Sequence, residues 1–301
     1  MDFGNLAPEG TLLTEYTLGM RKERFFRDAE GPNALKIIPL LEDFHHLTMS
    51  GDYEYPVHFH AEYELIIVET GPYRCRLNDE ELTVLDAQLL LIQPGDRHQD
   101  HLKSGQYHHV VHFQVLNGLG HKWKDRLFKP SASPKARIAA QPDTDYPDLL
   151  REISSASNPP SWISAKVVDS LFETMFWKTV AQYDERNFSS SFLDHMQQED
   201  FLDRFYKTIM ESIEKPIRVE DLSREMHCPL RTLSYKTKQL TGASPVYWIR
   251  RLKCEKAKEF LRLPGTSIKE TAYQLGFKNP FHFSQVFKQI FGLSPSQWRG
   301  R

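Results

Sequence analysis

Four side chains in the first hundred residues have types and spacing suited to chemistry: His58-x-His60-x3-Glu64, then His98 after Gln93-Pro94-Gly95. Imidazole nitrogens and a carboxylate are the donors of a divalent-metal site, and the same groups hydrogen-bond a polar ligand. If residues 58–64 form a strand, its period of two places His58, His60, Glu62 and Glu64 on one face, with His98 arriving from a neighbouring strand. A metal held by His58, His60, Glu64 and His98, and a polar ligand bound by them, are both open readings. His45, His46, His101, His108, His109 and His112 fit surface or paired core positions better than ligand positions.

A second set lies in the last hundred residues. Gly242-Ala243-Ser244-Pro245-Val246-Tyr247-Trp248 recurs as Gly292-Leu293-Ser294-Pro295-Ser296-Gln297-Trp298, an offset of 50 residues. At that offset Leu233 pairs with Phe283, Thr237 with Phe287, Lys238 with Lys288 and Leu240 with Ile290. A duplicated helical unit with basic residues on one face reads as two helix-turn-helix modules, which points to double-stranded DNA. In the first, a short helix over 220–226 and a turn at Cys228-Pro229 precede a recognition helix over 230–240. Leu233, Thr237 and Leu240 face inward, leaving Arg231, Thr232, Ser234, Tyr235 and Lys238 for base edges and phosphates. In the second, Thr266-Ser267 supplies the N-cap of a helix whose inner face is Ile268, Ala272 and Leu275, and Gly276 permits the turn. Asn279 caps the next helix with Pro280 at its first position. Asn279, Phe281, His282, Gln285 and Lys288 are left toward the groove. Residues 246–263 form a long spacer helix whose Arg250, Arg251, Lys253, Lys256 and Lys258 make basic flanks.

The elements that position these groups fall into two halves. A chain of 301 residues, 40% hydrophobic and 26% charged, is long enough for two domains with separate cores. Residues 196–301 carry 19 Lys and Arg against 11 Asp and Glu, a net of +8, while residues 1–195 carry a net of −10. A basic half beside an acidic one implies a polyanionic partner for one half only. Residues 35–115 alternate short apolar runs with turns such as Gly71-Pro72 and Pro94-Gly95-Asp96, which predicts a β-sandwich or small barrel. Residues 129–160 are proline-rich, with a short helix near 149–155. Residues 161–183 carry apolar groups at helical steps (Trp162, Ala165, Val168, Phe172, Met175, Phe176, Thr179), either packed on the β-domain or forming a dimer seam. Polar residues 184–191 read as a hinge. The expected division is 1–130, 131–195 and 196–301. Cys75, Cys228 and Cys254 show no paired spacing, which fits a reducing cytoplasm. No secretory signal and no membrane span is expected.

Ile268-x3-Ala272-x3-Gly276-Phe277, Phe283-Ser284-x2-Phe287-Lys288 and Gly292-x-Ser294-Pro295-x2-Trp298-Arg299 together resemble the AraC/XylS family of transcription regulators. The resemblance covers about the last hundred residues. Thr237 stands where that family commonly has Phe, and His282 where Tyr is common. Gly51-x6-His58-Phe59-His60-x3-Glu64-x6-Gly71 with Gln93-Pro94-Gly95-x2-His98 resembles the two motifs of cupin barrels, with Gln93 where Pro is usual. The resemblances imply a cupin-like all-β sensor domain followed by an all-α domain of two helix-turn-helix modules joined by a long helix. They imply a homodimeric, ligand-responsive regulator that meets RNA polymerase. They also imply a hydroxyl-rich effector such as a sugar, bound by His58, His60, Glu64, Arg74, Arg76 and His98. No cofactor is required, although a divalent metal suits the same donors. Two other readings stand beside this one: a ligand-independent DNA binder with the cupin as scaffold, and a metal-dependent cupin enzyme with a DNA-binding tail. No phosphate-binding loop, Ser/His/Asp signature or nucleotide fingerprint supports other chemistry.

Overall fold

The computed structural model describes residues 12–16, 36–118, 120–142, 146–156 and 161–300. Two compact units divide after His195. The first is the all-β domain expected, with helices added, and the second is all-α.

The N-terminal unit holds β1 (Leu12–Tyr16), β2 (Ile37–Met49), β3 (Tyr53–Glu54), β4 (Tyr63–Thr70), β5 (Tyr73–Leu77), β6 (Glu80–Val84), β7 (Gln88–Ile92), β8 (His98–Leu102), β9 (Tyr107–Asn117) and β10 (Ile138–Ala140). They form two antiparallel sheets, ordered β1-β2-β9-β4-β7-β10 and β3-β8-β5-β6. Ile66, Val68, Ile92 and Val110 of the larger sheet pack with Tyr73, Cys75, Leu77 and Leu102 of the smaller one. Strand parity does the rest. In β4 the even residues Glu64, Ile66 and Val68 share the inner face, while Tyr63, Leu65 and Ile67 share the outer one. The outer face is buried too: α2 (Trp162–Val180) packs on it, with α1 (Tyr146–Ala156) packed against α2 and Tyr146 hydrogen-bonded to Thr179. Phe113 of β9 stacks on Tyr63 and meets Phe172 and Phe176 of α2 edge-on at 5.3 and 5.7 Å.

That contact assigns most of the α2 apolar stripe to its own β-domain: Val168, Phe172, Met175, Phe176 and Thr179 are buried. Trp162 does not join them and is 79% exposed. The expected hinge over 184–191 is also replaced. Lys129 N–H donates to Asn187 O, Ser189 N–H to Leu127 O, and Phe188 stacks on Phe128, so the segment is held within the N-terminal unit. The division falls instead inside α3 (Ser190–Glu211).

The C-terminal unit continues with α4 (Val219–Glu225), α5 (Leu230–Thr241), α6 (Pro245–Arg262), α7 (Ile268–Gln274), α8 (Pro280–Phe291) and α9 (Pro295–Arg299). The repeated Gly-x-Ser-Pro is a stop-and-restart signal. Gly242 and Gly292 end α5 and α8 in the left-handed region at φ 73° and 75°. Ser244 and Ser294 then cap α6 and α9, accepting from Tyr247 and Gln297 N–H, with Pro245 and Pro295 in the first turn. Phe283, Val286 and Phe287 of α8 fill a core with Ala257, Leu261, Ala272 and Leu275. The equivalent of Phe287 in the first module, Thr237, is fully buried, and its hydroxyl has no hydrogen-bond partner among the described residues. An unsatisfied buried hydroxyl costs roughly 1–3 kcal/mol. Thr237→Val therefore raises the stability of the helical unit by about 1 kcal/mol in urea denaturation; an unchanged or lowered midpoint would show that the hydroxyl is satisfied in solution.

Candidate functional site

In the β-domain the polar constellation is organised around one carboxylate. Glu64 is 6% exposed and lies on the inner face of β4. Strand register sets its neighbours: His112 of β9 lies opposite Glu64, and Asp43 of β2 lies opposite His112. The three form a cross-strand row, with His112 Nε2 3.7 Å from Glu64 and Nδ1 3.6 Å from Asp43. A register shift between Leu41 and Asp43 adds one residue to β2 here, the kind of bulge that re-aims a side chain. Asp43 also accepts from His45 Nδ1 at 2.7 Å. His60 Nε2 contacts Glu64 Oε2 at 2.9 Å, and its Nδ1 donates to Glu62 O, which fixes the ring. From the opposite sheet His98 brings Nε2 to 3.2 Å of the same oxygen. His58 pairs its backbone with His98 in an isolated bridge, and their rings lie 3.9 Å apart.

Most of the sequence-predicted residues converge: His58, His60, Glu64 and His98 come together. They do so without the continuous strand expected over 58–64, because the chain bends at residues 61–62. Glu62 is turned to its own loop, where its carboxylate accepts from Ala61 N–H. Arg74 and Arg76 do not line the interior. In β5 the parity that buries Tyr73, Cys75 and Leu77 leaves both arginines exposed, and Arg76 pairs with Glu81 on the surface. The apolar alternation of Tyr73-Arg74-Cys75-Arg76-Leu77 was the signal for this. Reading the sequence missed His112, Asp43 and Asp100, whose Oδ1 accepts from the Tyr73 hydroxyl at 2.6 Å. Only strand pairing brings these groups to the site.

The electrostatics follow from crowding charge into a core. Burial pushes the Glu64 carboxyl up, but hydrogen bonds from His60 and His98 and the charge of His112 outweigh it and hold Glu64 well below the usual carboxylate range. Burial lowers His98 and His112, but Glu64 raises the first, and Asp43 and Glu64 raise the second, so both end above their ordinary value. Burial and the neighbouring His98 leave His58 below its ordinary value. Asp100 is pushed up to about 6 by burial and by Glu64. For a metal, the four expected donors fall in two groups within 4.8 Å, one of His60, Glu64 and His112 and one of His58, His98 and Asp100, beside a third set of Asp43, His45 and His112. The first is a two-histidine, one-carboxylate set that fits a divalent ion; the four residues expected as one ligand set fall between the two groups.

The helical unit presents a different surface. On α5, Arg231, Tyr235 and Lys238 are exposed, and on α8 the equivalent Phe281, Gln285 and Lys288 are exposed. Tyr235 is 67% and Phe281 72% exposed, large for aromatic groups. Thr232 and Ser234 are half-buried. Asn279 uses its carbonyl to cap α8, accepting from His282 N–H at 2.8 Å. His282 is half-buried, with its ring edge-on to Phe277 at 5.8 Å, so it leans on the module core rather than standing free. Lys253, expected on the basic flank of the spacer helix, is buried.

The barrel cluster makes a pH-dependent prediction. Glu64 lies below its ordinary value of 4.5, so its contribution is complete above that value and lost as pH falls through the folded one. His98 and His112 lie above their ordinary 6.5, so theirs is complete below it and lost as pH rises through the folded values. All three are charged together between these limits. In chelator-treated protein Glu64→Gln costs about 2 kcal/mol near pH ~6 and less near pH ~8, read from denaturation curves. An equal cost at both pH values would dissolve the charged cluster.

Comparison with known proteins agrees with both halves. Residues 45–158 match the family described as AraC-like ligand binding domain, and residues 222–301 match the one described as Helix-turn-helix domain. The HTH-type transcriptional activator RhaR of Pectobacterium carotovorum subsp. carotovorum (strain PC1) is 27% identical over 251 residues, covering 82% of this chain and 87% of that one. The HTH-type transcriptional activator RhaS of Escherichia coli O81 (strain ED1a) is 24% identical over 263 residues, covering 82% and 88%. Among the described residues no helix is long and apolar enough to cross a membrane. With a ligand-binding β-domain, a duplicated DNA-binding module and relatives that are transcriptional activators, this chain belongs to the AraC family of DNA-binding transcription regulators.

Proposed function

We propose that the chain is a cytoplasmic transcription activator whose β-domain senses a small, hydroxyl-rich metabolite, such as a sugar, at the Glu64 cluster. The observation that carries this reading is a buried carboxylate ringed by His60, His98 and His112. Such a cluster offers both acceptors and donors at one point, which suits hydroxyls that both give and take hydrogen bonds. Effector acts by binding one arrangement of the protein better than another, which shifts their populations. Trp162, Ile163 and Val167 form an exposed apolar run on α2, which supports a homodimer seam there. RNA polymerase is the expected protein partner once DNA is bound. A divalent metal at His60, Glu64 and His112 is the second reading, favoured by their donor set; it would supply a Lewis-acid anchor for an effector hydroxyl.

On DNA, α5 and α8 enter successive major-groove segments about 10.5 bp apart. Arg231, Tyr235, Lys238, Phe281, Gln285 and Lys288 make the outward contacts, with Thr232 and Ser234 beside them. The apolar Phe281 suits a thymine methyl, and the lysines supply the salt-dependent phosphate term.

Two measurements test this. A thermal-shift screen of the full chain against sugars, sugar acids and divalent metals finds an effector that adds about 2.7 kcal/mol at 100 times its Kd, and Glu64→Gln abolishes that shift. A shift that survives Glu64→Gln places the effector elsewhere, and a shift with metal alone moves the weight to the second reading. On DNA, Arg231→Ala costs ~1–3 kcal/mol on the preferred site and relaxes the choice at one base pair. A uniform loss over all sequences would reduce Arg231 to a phosphate contact.

A further inference from the structure

Lys253 has no acidic partner among the described residues and is 5% exposed, yet all three protons of its ammonium are placed. Nζ donates to Ile213 O at 2.9 Å, Lys215 O at 2.6 Å and Leu275 O at 2.5 Å. The acceptors come from two separate parts of the unit. Ile213 and Lys215 lie in the turn that follows α3 and leads into α4, the first helix of the first module. Leu275 closes α7, the first helix of the second module. Both places are helix C-terminal ends, where carbonyls lack partners within the helix and a cation is favoured.

At the same junction the two modules approach closely. Gly276, the turn residue of the second module, sits at φ 68°, and a Cβ there would lie 2.7 Å from Lys215 C and Pro216 N. Backbone therefore meets backbone with no side chain between them. The covalent link from α6 to α7 runs through Leu263-Pro264-Gly265, with Gly265 at φ 82°, so the angle there is set by packing as well as by the chain. The second module is held on the first by α6, whose Cys254, Ala257 and Leu261 pack against α7 and α8, and by the contact at Lys215-Pro216 with the ammonium that spans it.

We propose that Lys253 is a positioning residue for DNA recognition: by tying the turn before α4 to the end of α7, it sets the angle and separation of α5 and α8. It thereby sets the spacing of the two DNA segments the protein accepts. Lys253 touches no base. Its effect is on which spacings are tolerated, not on which bases are preferred within either segment. The spacing consequence rests on the reading that both modules engage one duplex.

The test uses the full chain with nitroxide labels at Gln239 and Gln289, exposed positions on α5 and α8. Pulsed electron-electron resonance reads their distance distribution in wild type, Lys253→Met and Lys253→Gln. Wild type gives one narrow distance, and both variants give a broad one while their circular dichroism stays helical. Sites recovered by selection from a random DNA pool are then lengthened or shortened by one base pair between their halves. Wild type loses about tenfold or more in affinity on such sites, and the variants lose clearly less. A wild-type distance distribution and spacing profile in either folded variant overturns the proposal. Loss of helicity in both variants also overturns it, because Lys253 would then be a requirement for folding. If selection recovers only single-segment sites, the two-segment reading fails, and the spin-label distances still decide whether Lys253 is the tie.

Discussion

Burying an ionised group without partners costs far more than a small domain has to spare. Each unit nevertheless buries a charged group, and supplies it with partners. In the β-domain the Glu64 carboxylate lies between two sheets and gathers imidazoles from both. In the helical unit the Lys253 ammonium lies between two modules and takes carbonyls from both. The requirement to satisfy a buried charge ties together elements that the chain itself joins only loosely.

The two solutions differ in what they leave available. Lys253 spends its whole donor capacity on backbone, so nothing remains for a ligand, and its role is geometric. Glu64 is surrounded by groups that can exchange one hydrogen-bond partner for another. His58, His98 and Asp100 lie beside it with their own contacts. A cluster of this kind can accept a hydroxylated molecule by substitution of bonds rather than by creating them, so occupancy can alter the packing of one sheet against the other. On the proposed function, that is the physical link between the β-domain and regulation.

The division of labour on the DNA side has the same logic. The inner faces of α5 and α8 are spent on the core, with Leu233, Phe283 and Phe287 fully buried. Their outer faces keep Tyr235 and Phe281 exposed together with the cations. Burial of one face makes each helix rigid, and a rigid helix can present a fixed set of side chains to a groove.

Much of this was legible in the residues, and the pattern of what was not is instructive. The duplicated Gly-x-Ser-Pro, the caps at Ser267 and Asn279, and the inward spacing of Phe283 and Phe287 are local features, decided within a few residues of chain, so their consequences could be read in order. The outward placing of Arg74 and Arg76 was also local, carried by Tyr73, Cys75 and Leu77, although the ligand-binding expectation pointed the other way. His112 and Asp43 could not be assigned to Glu64 before the register of β2, β9 and β4 was known, because a slip of one residue turns every side chain to the opposite face. Lys253 reads as one of several exposed cations on an amphipathic helix until the packing of two modules places carbonyls around it. The sequence by itself determined most of the strands and helices, the family and the buried faces of α5 and α8, since those depend on near neighbours. The tertiary structure alone decided which distant groups share a buried charge, since that depends on how strands pair and helices cross.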